Sequence, residues 1–202
     1  MRKFVLGLVA ATALGSASMA SATQFMGATA GCFGAACAPA GAATTGGLTF
    51  TSGSFNQSDS NGFLAIGSGT ENFGTLNLSG LPFTYNTLFT LLVNFTLPAG
   101  TPGAGTVYSA LVGGSVTNST TGGVLFDFNN TPQTINYTGG SFTLAINDVS
   151  VNSSEVPTNT AITGTIRTAV PEPATWALML LGFGGIGLAM QRRRRPALAQ
   201  IA

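Results

Sequence analysis

Residues 83–97 read Phe83-Thr84-Tyr85-Asn86-Thr87-Leu88-Phe89-Thr90-Leu91-Leu92-Val93-Asn94-Phe95-Thr96-Leu97. Seven of the eight odd positions are apolar, against two of the seven even ones. Successive side chains of an extended strand point to opposite faces, so a period of two over 15 residues predicts one long strand, or two joined by a bend, with a single buried face.

The same alternation continues downstream. Tyr108, Ala110 and Val112 alternate with Val107, Ser109 and Leu111, a more two-sided strand, while Val124, Phe126 and Phe128 share a face with Asp127 opposite. Phe142, Leu144 and Ile146 repeat the pattern up to Asn147-Asp148, after which Val149 and Val151 resume in the other phase. A change of phase predicts a bulge or a sharp turn there. Ile162, Gly164 and Ile166 complete the set. Turn signals stand at Asp59-Ser60-Asn61-Gly62, Pro98-Ala99-Gly100, Gly113-Gly114, Gly122-Gly123, Asn129-Asn130-Thr131-Pro132 and Gly139-Gly140. No part of this body sustains a period of 3.6, so the expected fold is all-β, an antiparallel β-sandwich-like domain over residues 23–169. Residues 27–47 stand apart: Gly27-Ala28-Thr29-Ala30-Gly31 and 38–47 are mostly small, with little to bury, and predict a loop or partly ordered arm.

The two ends read as addresses. Met1-Arg2-Lys3 is followed by an apolar run from Phe4 to Leu14 and then by small residues to Ala22. That order predicts a secretory signal peptide over 1–22, with Ala20 and Ala22 as the small residues at the cleavage site and the cut after Ala22, or alternatively after Ala20. At the other end, Pro171-Glu172-Pro173 interrupts the chain, Ala174 to Met190 is 17 residues without a charge, and Arg192, Arg193, Arg194 and Arg195 follow Gln191. At 1.5 Å per residue the uncharged run reaches about 26 Å, the short end of a transmembrane helix. Trp176 near its boundary suits the interface, and the Arg block holds residues 196–202 in the cytoplasm as a tail, so the body lies outside. Gly182-Phe183-Gly184-Gly185-Ile186-Gly187 spells G-x-G-x-x-G, but a dinucleotide site needs an acid about 20 residues on. Only 15 residues follow Gly187, and none is acidic. These glycines are better read as thinning a weakly hydrophobic span and allowing close helix approach.

The 202-residue chain has seven Lys or Arg, six Asp or Glu and no His, and only 6% of it is charged, against about 25% in ordinary soluble domains. Without His there is no His-based triad and no imidazole metal ligand. Arg167 is the only basic residue of the body, which excludes a nucleic-acid surface there. With Asp59, Glu71, Asp127, Asp148 and Glu155, the body is mildly acidic. Cys32 and Cys37, the only cysteines, are spaced C-x4-C in a chain bound for an oxidising compartment, and predict a disulfide that pins the small-residue arm.

Catalytic signals are weak. Asp127 and Asp148 are the best carboxylate pair for glycoside hydrolysis, yet turn acids and outward strand residues look the same. Asp127-Phe128-Asn129-Asn130 clusters oxygen ligands but lacks the spacing of a calcium loop. Serines have no His or Lys outside the leader to serve as base. The expectation is therefore no catalytic residue, no metal and no cofactor. Seven Asn-x-Ser/Thr matches reflect composition and mark a hydroxyl- and amide-rich surface able to hydrogen-bond polysaccharide.

The C-terminal arrangement, Pro171, Glu172, Pro173, then Trp176-Ala177, then Leu178 to Gly185 and the Arg192–Arg195 block, closely resembles the PEP-CTERM sorting domain in its PEPxxWA variant. The resemblance covers residues 170–195. It implies recognition and processing near Pro-Glu-Pro by an exosortase, a membrane transpeptidase, in a Gram-negative bacterium that exports polysaccharide. The reading is then a non-enzymatic exported surface or extracellular-matrix protein. It would be carried by signal peptidase and the export machinery, anchored transiently in the inner membrane and released to the cell surface or biofilm matrix, with exopolysaccharide as a further partner. A carbohydrate-binding module is the alternative, although glycan binding usually uses exposed aromatics and here the only Trp lies in the span and the only Tyr are Tyr85, Tyr108 and Tyr137. A secreted hydrolase using Asp127 and Asp148 is the weaker one.

Overall fold

A computed structural model of the protein describes residues 22–67, 69–153, 158–168 and 173–193. Ala22–Ala169 forms one compact unit, built almost wholly of antiparallel strands. Its largest sheet has six strands in the order β12 (Val149–Asn152), β9 (Thr121–Phe128), β8 (Thr106–Asn118), β7 (Phe83–Leu97), β1 (Gln24–Phe33) and β4 (Ser54–Ser58). A second sheet runs β10 (Gln133–Tyr137), β11 (Gly140–Ile146), β14 (Gly164–Thr168) and β5 (Phe63–Ile66). The third runs β13 (Thr158–Ala161), β6 (Thr75–Leu78), β3 (Leu48–Thr51) and β2 (Ala42–Thr45). The all-β antiparallel expectation holds.

The 83–97 pattern is one unbroken strand, and its inner face buries Tyr85, Phe89, Leu91, Val93 and Phe95. Phe142 of the second sheet meets Phe25 and Phe95 edge-on, each at 4.9 Å between ring centroids, and Phe50 of the third sheet meets Phe89 at 5.2 Å. The six-stranded sheet is therefore one layer, and the two smaller sheets cover its inner face. Phe89 also touches Phe33, Phe126 and Phe128. Edge-to-face pairs of this kind add about 1 kcal/mol each beyond area burial. The phase change at Asn147-Asp148 has a simple cause: those two residues carry the chain from β11 in the second sheet to β12 in the first. A strand that crosses to the opposite layer must point its apolar side the other way.

Three expectations need correction. Of residues 27–47, expected as a loop or arm, the stretch 34–41 is a loop, but the flanking 27–33 and 42–45 are strand. Gly27-Ala28-Thr29-Ala30-Gly31 lies in β1, inside the largest sheet between β7 and β4, and 42–45 form β2. The strand is small because its neighbours are large: a Cβ on Gly31 would lie 2.8 Å from rings of both Phe50 and Phe89, and one on Gly27 2.5 Å from Phe55. Gly113-Gly114 and Gly122-Gly123 are not turns either. They sit in β8 and β9, and the hairpin turns further out, at 119–120. Finally, β8 is apolar on both faces but buried on one, leaving Val107 and Leu111 exposed.

The predicted span is helical. Helix α1 covers Pro173–Arg193, and its described side chains, residues 179–190, are all exposed. Among the described residues no helix is long and apolar enough to cross a membrane.

Candidate functional site

The place where the body begins and ends is built around one carboxylate. Strand β4 stops at Ser58, and the chain reverses through Asp59-Ser60-Asn61-Gly62. Ser60 and Phe63 exchange backbone hydrogen bonds of 2.9 and 3.1 Å. Asn61 and Gly62 take left-handed φ values of 53° and 78°, which Asn and Gly tolerate best, so the tight turn suits its sequence. Asp59, at the mouth of this turn, is only 8% exposed. Its Oδ1 accepts the backbone N–H of Thr23 at 2.5 Å, and its Oδ2 accepts the hydroxyl of Thr168 at 2.8 Å. Backbone bonds reinforce both ends: Asp59 N–H donates to Thr23 O at 3.0 Å and Thr168 N–H to Gly62 O at 2.9 Å. The first residue after the predicted leader and the last described residue before the sorting segment thus share one buried acceptor. Neighbouring Arg167 points elsewhere, its guanidinium lying 5.1 Å from the centre of the Phe63 ring.

The predicted disulfide is present. Cys32 and Cys37 are joined, with Cα atoms 5.9 Å apart. Cys32 is buried near the end of β1, so the bridge ties down the chain as it leaves the largest sheet; Gly34 N–H adds a bond to Leu88 O at 2.8 Å. The other polar node of β1 is Thr29, buried, whose hydroxyl donates to Phe73 O at 3.0 Å and accepts Gly53 N–H at 2.9 Å.

Asp127 and Asp148 are brought near one another, since the register Val149↔Phe126 between β12 and β9 sets Asp148 beside Asp127. Asp127 lies on the exposed face of β9. Asp148 accepts Phe128 N–H at 2.9 Å and the Asn130 side-chain amide at 3.2 Å, which clasps the loop after β9 to the crossing between sheets. That is a structural task for Asp148. Among the described residues no three acidic or Cys side chains gather as a metal site. Of the three tyrosines of the body, two are buried and Tyr137 is half-buried. Tyr85 and Tyr108 are buried and bonded to Gly46 O and Leu144 O, while Tyr137 leans on Phe142. Burial raises the phenol pKa of both Tyr85 and Tyr108.

Of the sorting residues, Pro171, Glu172, Arg194 and Arg195 lie outside the described residues, as do Ala20 and the rest of the leader to residue 21 and the tail 196–202. Pro173, Trp176, Ala177, Arg192 and Arg193 fall in α1. Ala22 is described and exposed. Sequence reasoning missed Asp59 as a junction: a turn acid after a strand is common, and nothing in Asp59-Ser60-Asn61-Gly62 names partners 36 and 109 residues away.

Residues 169–195 match the family of the PEP-CTERM protein-sorting motif. The motif supports an exported protein, processed by exosortase, a membrane enzyme, and sorted toward the cell surface. No curated protein and no solved structure matches the chain.

Proposed function

From a chain that carries a PEP-CTERM sorting motif, we propose a non-enzymatic surface or extracellular-matrix protein, sorted and processed at its C-terminus by an exosortase-like transpeptidase. The chemistry belongs to the partner, and this chain is the substrate. The observation that carries the reading is the ordered series at 169–195: Pro-Glu-Pro, an uncharged helical stretch, then four Arg. The anchor reading rests on the sequence alone: the uncharged run 174–190 reaches about 26 Å at 1.5 Å rise, the short end of a membrane span. The Arg block resists translocation and keeps the C-terminus inside, so a signal peptide at the other end leaves the β domain outside. A transient anchor of this topology presents residues 169–173 near the outer membrane–water boundary, where a membrane transpeptidase works. The weakly charged domain, rich in Ser, Thr and Asn, suits a hydrated polysaccharide matrix, in which dense charge would bind counter-ions and basic debris.

The test is the intact mass of the exported product from a strain with and without the exosortase. The expected product lacks Arg192–Arg195, and the strain without the enzyme retains the full anchor in its membrane fraction. An exported protein that still carries the four Arg overturns the proposal.

A further inference from the structure

Asp59 is placed to receive a charge that the unprocessed chain does not have. With Ala22 attached, Thr23 offers Asp59 Oδ1 a neutral peptide N–H at 2.5 Å. Hydrolysis of the Ala22–Thr23 bond adds one water, leaves a carboxylate on Ala22, and leaves on Thr23 an amine that takes up a proton at neutral pH. We propose that removal of the leader creates an ion pair between the Thr23 α-ammonium and the buried Asp59 carboxylate, so that the mature domain closes more firmly than its precursor. The proposal rests on the reading of residues 1–22 as a cleaved leader.

Three observations carry it. Asp59 is 8% exposed, and its described partners at Thr23 and Thr168 are an N–H and a hydroxyl. A buried carboxylate so held gains most from a cationic donor, because charge-assisted hydrogen bonds are roughly twice as strong as neutral ones. Ala22 is exposed, so its removal takes no packed side chain from the domain around Thr23. Thr168 holds the other oxygen, so the same pair fastens the end of β14 immediately before the sorting segment. Leader removal would then strengthen the domain at both ends before the C-terminal cut.

The experiment compares two chains in detergent, each running to the natural C-terminus and each freed from a fusion partner without extra residues. One begins at Thr23 and the other at Ser21. The Thr23 chain is expected to melt about 4 °C higher, and the difference is expected to vanish in Asp59→Asn. Should Asp59→Asn fail to fold, Nα-acetylation of the Thr23 chain serves instead: it restores a neutral N–H and should abolish the same difference. Equal melting of the two starts, or a difference that survives acetylation or Asp59→Asn, overturns the ion pair. N-terminal sequencing of the exported protein separates the two claims. Thr23 as first residue supports maturation at Ala22, whereas Ser21 or an uncleaved leader overturns the role in maturation whatever the melting shows.

Discussion

Strand β1 and helix α1 are both written in small and apolar residues with repeated glycine, and the two lead opposite lives. In β1 a side chain at Gly27 or Gly31 would collide with Phe55, or with Phe50 and Phe89. In α1 nothing stands within 4 Å of the Cβ positions of Gly182, Gly184, Gly185 and Gly187, and residues 179–190 are exposed throughout. A glycine in the strand is a seat for a neighbour's ring. A glycine in the helix is an unfilled surface. The β domain satisfies its apolar surface with its own residues, and its glycines mark where those residues meet.

The largest effect that separates the two regions comes from truncating matched phenylalanines. Phe89 is fully buried where the largest and third sheets meet, so Phe89→Ala should cost about 4 kcal/mol and lower the melting temperature of the β domain by about 10 °C. Phe183→Ala, in the exposed helix, should leave that melt where it was. Calorimetry of both variants checks this, and an equal loss would break the contrast. The glycines come next. Gly27→Val places a Cβ 2.4 Å from Asn94 O and 2.5 Å from the Phe55 ring, and should cost about 3 kcal/mol by overpacking. Gly184→Val meets open space and should not move the melting of the β domain. A Gly27→Val protein as stable as its parent would mean that the strand is not seated as described.

These glycines also show what could be read from the chain and what could not. Period-two burial over 83–97, 124–128 and 142–146 announces itself, because each strand there carries its own large side chains. β1 carries none on its inner face between Phe25 and Cys32 except Thr29, so its burial is written in Phe50, Phe55 and Phe89, far away in sequence. The same logic hid Gly113-Gly114 and Gly122-Gly123, where a Cβ on Gly114 or Gly122 would strike the facing backbone; the residues that elsewhere make a turn here let two strands lie close. The sorting segment was legible for the opposite reason: an enzyme reads it as local sequence, so its order is visible without a fold. Asp59 was not, because its meaning lies in the meeting of Thr23 and Thr168.

The smallest effect concerns a group the helix lacks altogether, since Pro173–Arg193 contains no Tyr. Tyr108 is buried, its hydroxyl donates to Leu144 O at 3.0 Å, and burial raises its pKa well above the usual 10; Tyr85 is raised for the same reason. In the unfolded chain both phenols ionise near pH 10, while in the folded domain Tyr108 stays protonated beyond it. Above that pH the unfolded state therefore holds fewer protons than the folded one, and stability falls as pH rises, by up to about 1.4 kcal/mol per pH unit for each such tyrosine. Below pH 10 the two states hold the same phenol protons and no slope arises from them. Tyr108→Phe should cost about 1 kcal/mol at pH 7 through the lost hydrogen bond, and should remove its share of the alkaline slope, so that variant and parent converge as pH climbs past 10. Urea denaturation at pH 8, 10 and 11 reads both effects. A variant that keeps the full alkaline slope would locate the titration elsewhere and remove Tyr108 from the contact between the largest sheet and the second.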